Sequence, residues 1–216
     1  MHVGAQEQAR LTLAFVMDIG RRIFVVDDEP AVLGALERML RASGYSVETF
    51  ASPREFLDAA PQEGVGCLLL DLSMPEMTGL DVQDEMLRRG ISLPVIFLSA
   101  YGDVPTTAHA MREGAIDFLV KPVREAQLLD AIERALSASS AREQRRVTQS
   151  DVKHRLARLT ARERQVCDLV SRGLLNKQIA AELGTTEKTI KVHRGRVMRK
   201  LEVHSVAALV RLLAEL

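Results

Sequence analysis

The chain has 216 residues, 47% of them hydrophobic, which is enough apolar material for packed cores and excludes a largely disordered polypeptide. Two cysteines do not make a disulfide framework or a cysteine-rich metal cluster, and no apolar run reaches the length of a membrane-spanning helix. The formal net charge is zero, but residues 1–141 hold 12 Lys and Arg against 21 Asp and Glu, while residues 152–216 hold 14 against 6, so the sequence predicts an acidic and a basic domain with different partners.

Residues 1–20 have no clear period and are expected to form a flexible N-terminal extension. The run Leu11–Met17 is short, follows Glu7 and lacks the basic-then-apolar order of a secretory signal, which points to a cytoplasmic protein with no membrane partner. From Arg22 the pattern becomes regular. Strands are predicted at Ile23–Val26, Tyr45–Phe50, Cys67–Leu70, Pro94–Leu98 and Ile116–Val120. Amphipathic helices are predicted between and after them, at Ala31–Ala42, Pro53–Ala60, Leu80–Arg89, Val104–Glu113 and Glu125–Leu136. Such alternation predicts a parallel sheet covered by helices on both faces. Three of the strands are continuously apolar, as buried central strands are. Cys67 and Cys167 lie in apolar contexts and read as packed core thiols.

In an open parallel sheet, chemistry collects beyond the carboxyl ends of the strands. Here the first strand ends in Asp27-Asp28-Glu29, the third in Asp71, the fourth in Ser99 and the fifth in Lys121-Pro122. Crowded carboxylates repel one another unless a hard cation holds them, and Asp oxygens suit Mg²⁺, which also takes phosphate oxygens. A carboxylate aligned in that way can accept a phosphoryl group, with Lys121 and Ser99 directed at the phosphoryl oxygens. Any one of these residues alone reads as an ordinary polar strand end, since Asp is common in turns. Five residues of compatible chemistry on four strand ends are harder to explain in that way.

The motifs Val26-Asp27-Asp28-Glu29, Leu70-Asp71-Leu72-Ser73-Met74-Pro75, Gly79, Ser99-Ala100 and Lys121-Pro122 resemble the receiver pattern of two-component response regulators from about Arg22 to Leu136. The resemblance implies a doubly wound (βα)5 sheet of strand order 2-1-3-4-5. It implies phosphorylation of Asp71 by a sensor histidine kinase, with Mg²⁺ held by Asp27, Asp28, Asp71 and the Ser73 carbonyl. Ser99 and Phe118 match the family's switch pair, in which a hydroxyl turns toward the phosphoryl group and an aromatic repacks; a Phe in an apolar strand is also ordinary core. Gly79 reads as structural, at a helix start where a side chain does not fit.

Ser137–Ser150 is rich in Ser, Ala, Arg, Gln and Glu, and reads as a linker or as an exposed extension of the preceding helix. The expected division is therefore a receiver at 21–137, a linker at 138–155 and a helical domain at 156–216. Thr160 and Glu163 form a capping-box pattern opening a helix to about Arg172, with Gly173 as its stop. A second helix is predicted at Asn176–Leu183 and a third at Glu187–Leu201 after the Gly184-Thr185-Thr186 turn, with a last one from near Ser205. Short helices joined by a glycine-containing turn predict a helix-turn-helix. Its third helix turns Ile190, Val197 and Leu201 inward and carries Lys188, Lys191, Arg194, Arg196, Arg199 and Lys200, which suits a DNA major groove, although a merely solvated helix would carry such residues too.

Leu159-Thr160-Ala161-Arg162-Glu163, Asn176-Lys177-Gln178-Ile179-Ala180 and Thr189-Ile190-Lys191-Val192-His193 resemble the LuxR-type DNA-binding domain, and the whole chain resembles regulators of the FixJ/NarL branch. The expected contacts with double-stranded promoter DNA are Lys188, Thr189, Lys191, Val192, Arg194, Gly195, Arg196 and Arg199, with Lys191, Val192 and position 195 facing bases. Gly195 is a departure: it has no side chain to read a base and costs the helix roughly 1 kcal/mol relative to Ala, for which close backbone approach to DNA is one explanation. His193 reads as a packing residue. The family also implies a phosphorylation-dependent homodimer formed around Val104–Arg112 and the fifth strand, with RNA polymerase a candidate further partner. Competing expectations are a metal-dependent aspartyl phosphatase and a DNA-binding regulator that ignores phosphorylation.

Overall fold

The computed structural model describes residues 21–61, 64–100 and 104–216. The expected extension at residues 1–20 lies outside the described residues. The chain divides into two compact units between Glu143 and Gln144.

The first unit is a five-stranded sheet in the order β2-β1-β3-β4-β5. The strands are β1 (Arg22–Val26), β2 (Ser46–Phe50), β3 (Gly66–Asp71), β4 (Val95–Ser99) and β5 (Asp117–Val120). All four pairings are parallel. The crossovers are α1 (Pro30–Ala42), α2 (Pro53–Ala59), α3 (Gly79–Arg89) and α4 (Val104–Arg112), and α5 (Glu125–Ala157) follows the last strand.

Side chains alternate across a strand, so an apolar run covered on both faces must feed two cores. Phe24, Val26, Leu68, Leu70 and Phe97 join Phe56 and Leu57 of α2 and Val82 and Met86 of α3 in one. Ile23, Val25, Cys67, Leu69, Ile96 and Leu98 join Leu33 and Leu40 of α1 and Leu128, Ala131 and Ile132 of α5 in the other. The ring of Phe56 packs edge-on against Phe50, their centroids 5.6 Å apart. Ser52 caps α2 and Thr78 caps α3 through a reciprocal box with Asp81. As expected, β3 ends in Asp71 and β4 in Ser99, one residue past the predicted apolar runs.

Helix α5 continues without a break past Leu136 to Ala157. Its receiver end is fastened at Ser139, whose buried hydroxyl oxygen accepts a 3.1 Å hydrogen bond from the Gly66 amide at the start of β3. Tyr45 donates to Glu133 of the same helix at 2.7 Å.

The second unit is helical among its described residues: the end of α5, then α6 (Ala161–Ser171), α7 (Asn176–Glu182), α8 (Glu187–Lys200) and α9 (Val206–Ala214). Thr160 caps α6 through a two-way box with Glu163, Thr186 caps α8 and Ser205 caps α9. Gly173 and Gly184 follow the ends of α6 and α7 with φ of 85° and 62°, a backbone region that penalises any side chain. Val166, Cys167, Val170, Ile179, Ile190, Val197, Leu201 and Leu209 form its core. Both cysteines are free and buried, and burial pushes the Cys67 thiol up. No helix among the described residues is long and apolar enough to cross a membrane.

Candidate functional site

The register of the sheet brings the expected polar residues to one edge. Val26 and Leu70 are partners in adjacent strands, so the next residues, Asp27 and Asp71, stand side by side. The Asp27 amide donates to the Phe50 carbonyl and the Leu72 amide to the Leu98 carbonyl, which carries the ladder one step beyond each strand. The Lys121 amide donates to the Ser99 carbonyl at 2.7 Å and fixes where that side chain starts.

Lys121 then reaches back across the strand ends. Its Nζ lies 2.7 Å from Asp27 Oδ2 and 2.6 Å from Asp71 Oδ1. Asp27 is fully buried and Asp71 nearly so. The remaining oxygens are engaged by backbone amides: Glu29 N donates to Asp27 Oδ1 at 2.9 Å and Ser73 N to Asp71 Oδ2 at 2.7 Å. Partial burial opposes the Lys121 charge, but the hydrogen bonds to Asp27 and Asp71 outweigh it and hold the ammonium above its ordinary pKa. Two buried carboxylates around one ammonium leave the cluster negative.

Asp28 stands apart from this pair, exposed to water, and among the described residues no three His, Cys, Asp or Glu side chains are grouped closely enough to hold a metal ion. The sequence groups three carboxylates; the structure buries two and leaves the third at the rim, where water solvates its charge. Ser99 is buried at the end of β4. Phe118 is half-buried on β5, its ring 6.3 Å from that of Phe97 and packed against the core shared with α3. Gly79 has no room for a side chain: a Cβ there would lie 2.6 Å from the Asp71 carbonyl oxygen and 2.9 Å from the Phe97 ring. Helix α3 thus starts directly against the backbone of Asp71.

The second candidate surface is α8. Ile190, Val197 and Leu201 are buried, while Lys188, Lys191, Val192, Gly195, Arg196 and Arg199 are exposed. Thr189 and His193 are half-buried. Two of the basic side chains are engaged within the unit. Arg194 Nη1 donates to Asn176 Oδ1 at 3.0 Å and so ties α8 to α7. Lys200 donates to buried Glu163 at 2.6 Å and to the Arg158 carbonyl at 3.0 Å. The sequence reads Arg194 as a DNA contact and Lys200 only as helix-face charge. The need of Glu163, a capping acid inside an apolar pattern, for a cation was the signal for the Lys200 pairing.

A parallel sheet with an acidic edge opened by one lysine, followed by a capped helix-turn-helix with a basic outer face, defines the class of a receiver joined to a DNA-binding output. Comparison with known proteins agrees. The response regulator receiver domain matches residues 23–133, and the luxR family of bacterial regulatory proteins matches residues 157–213. The chain is 44% identical over 199 residues to the response regulator protein TodT of Pseudomonas putida, covering 92% of this chain and 88% of that one. It is 38% identical over 190 residues to the transcriptional regulatory protein FixJ of Azorhizobium caulinodans, covering 88% and 90%. The solved structure of the response regulator StyR superposes with a TM-score of 0.83 at 46% identity, covering 90% of this chain and 98% of that one. The chain belongs to the two-component response regulators with a receiver domain and a LuxR-type DNA-binding domain, and is homologous to their transcriptional regulators.

Proposed function

We propose that Asp71 accepts a phosphoryl group from a sensor histidine kinase and that this modification controls binding of the second unit to promoter DNA. The observation that carries the reading is the Lys121 ammonium held between Asp27 and Asp71 at 2.7 and 2.6 Å. In the transfer, an Asp71 carboxylate oxygen attacks phosphorus, the bond from phosphorus to the donor's imidazole nitrogen breaks, and an acyl phosphate forms on Asp71. Lys121 exchanges its contact with Asp71 Oδ1 for one with a phosphoryl oxygen. Ser99, two residues beyond Phe97 on the same strand, would donate its hydroxyl to another, and the half-buried Phe118 ring would repack around that change.

Mg²⁺ would be held by the buried Asp27 and Asp71, whose two carboxylates outnumber the one Lys121 ammonium, with the Ser73 carbonyl and Asp28, turning in from the rim, completing an all-oxygen donor set. When bound, Mg²⁺ neutralises charge on the transferring phosphoryl group.

On this reading residues 21–137 form the receiver, 138–155 the connection and 156–216 the output. The protein acts in the cytoplasm as a regulator and not as an enzyme. The phosphorylated form pairs as a homodimer through α4 and β5 to place two output domains on paired half-sites, where RNA polymerase is a further partner.

The test is incubation with acetyl phosphate and Mg²⁺, comparing wild type with Asp71→Asn. Wild type should take up one phosphoryl group, be protected from it by chelation of Mg²⁺, and bind DNA more tightly; D71N should do neither. Equal phosphorylation of both proteins would reject Asp71 as the acceptor.

A further inference from the structure

A glycine in the interior of a helix weakens it relative to alanine, so a fold that keeps one there needs a reason. Gly195 lies inside α8, six residues before its C-cap Leu201, and is absent from the residues with positive φ. Nor does packing require it: a Cβ built at Gly195 meets nothing within 4 Å, whereas one at Gly79 would strike backbone at 2.6 Å. The isolated protein has space for a side chain at this position.

The surroundings of Gly195 supply a reason. Helical spacing puts Lys188, Lys191, Val192, Gly195 and Arg199 on one strip, opposite the buried Ile190, Val197 and Leu201. All five are exposed, and Val192 leaves 49% of its surface to water. The strip is cationic at both ends and low in the middle. An α-helix with its side chains is about 10–12 Å across and the major groove about 12 Å wide, so a side chain at the deepest point of the strip sets how far the helix can enter.

We propose that Gly195 is a specificity-determining residue, the point where the α8 backbone itself seats against base edges in the major groove of double-stranded DNA. This rests on the DNA-binding reading above. Its bare Cα lets the axis approach until Lys191 reaches hydrogen-bonding groups and Val192 packs on an apolar base edge such as a thymine methyl. A methyl group at position 195 lifts the helix and loosens the whole strip at once.

The experiment uses full-length wild type, G195A, G195L and K191A, and a duplex enriched by phosphodonor-treated wild type from a random-core pool. G195A should melt about 4 °C higher than wild type. It should bind the duplex about tenfold more weakly, and G195L more weakly still. Neither should change the slope of log affinity against log salt, since no phosphate contact is removed, and K191A, which removes a base contact, should weaken binding to the selected duplex. G195A binding within about twofold of wild type, or melting lower, overturns the proposal and leaves the DNA reading intact. Failure of wild type to enrich any duplex overturns both.

Discussion

Glu163 keeps a carboxylate where only 3% of its surface meets water. The Lys200 ammonium at 2.6 Å, helped by the Thr160 amide and hydroxyl, pulls its pKa from 4.5 down to about 2. A depressed carboxylate stabilises the folded state above its unfolded value and loses that contribution as pH falls toward the folded one. The helical unit should therefore lose stability between about pH 5 and pH 2 from this group. E163Q should weaken it by about 2 kcal/mol at neutral pH, by loss of a charge-assisted hydrogen bond, and should flatten the loss in acid. Urea denaturation followed over that pH range checks both. An acid profile unchanged in E163Q would show that Glu163 does not titrate as this geometry requires. The same pair joins the start of α6 to the end of α8, so it fixes the angle at which α8 leaves the core.

Helix α5 shows the corresponding dependence at the level of an element. Leu128, Ala131, Ile132, Ala135 and Leu136 press its first half on the sheet, and Ser139 is the last buried residue before a largely exposed stretch. Removing the Ser139 hydroxyl leaves the buried Gly66 amide without a partner, which costs about 2 kcal/mol. S139A should lower receiver stability by that amount, while S140A one residue further on, exposed, should change it by less than about 0.5 kcal/mol. Equal effects of the two in urea unfolding would dismiss the anchor. Ser139 also marks where sequence reading stops being informative. The strands were legible because burial on both faces makes them continuously apolar, and α6 because Thr160 and Glu163 sit at capping-box spacing. Residues 140–151 were not: they are polar and largely exposed, so no apolar period distinguishes a helix from a linker. Asp27, Asp71 and Lys121 could be placed together because strand order and strand ends fix them. That Asp28 would stay outside the buried pair, or that Arg194 would turn to Asn176, depends on side-chain contacts that spacing does not encode.

Over the whole molecule, the zero net charge divides into an acidic unit, which would gain about one further negative charge as the Asp71 carboxylate became an acyl phosphate, and a basic unit with Lys188, Lys191, Arg196 and Arg199 exposed on α8. Each unit has its own core: the two sheet-face clusters consist of residues up to Leu136, and the helical cluster of residues from Leu156 onward. Division at the boundary between Glu143 and Gln144 should therefore leave two folded pieces. Residues 144–216 should melt cooperatively and bind duplex DNA without phosphodonor. With Lys188, Arg196 and Arg199 as phosphate contacts, affinity should fall about 40-fold from roughly 50 to roughly 200 mM salt. Residues 1–143 should accept phosphate from acetyl phosphate and Mg²⁺ and bind no DNA. If the receiver acts as a gate on the output, the separated output will also bind more tightly than the unphosphorylated full chain, because the restraint is gone while the contact surface is intact. Equal affinity of the two would mean that phosphorylation controls binding only by bringing two chains together, and weaker affinity of the fragment would mean that α8 needs the receiver to hold its shape.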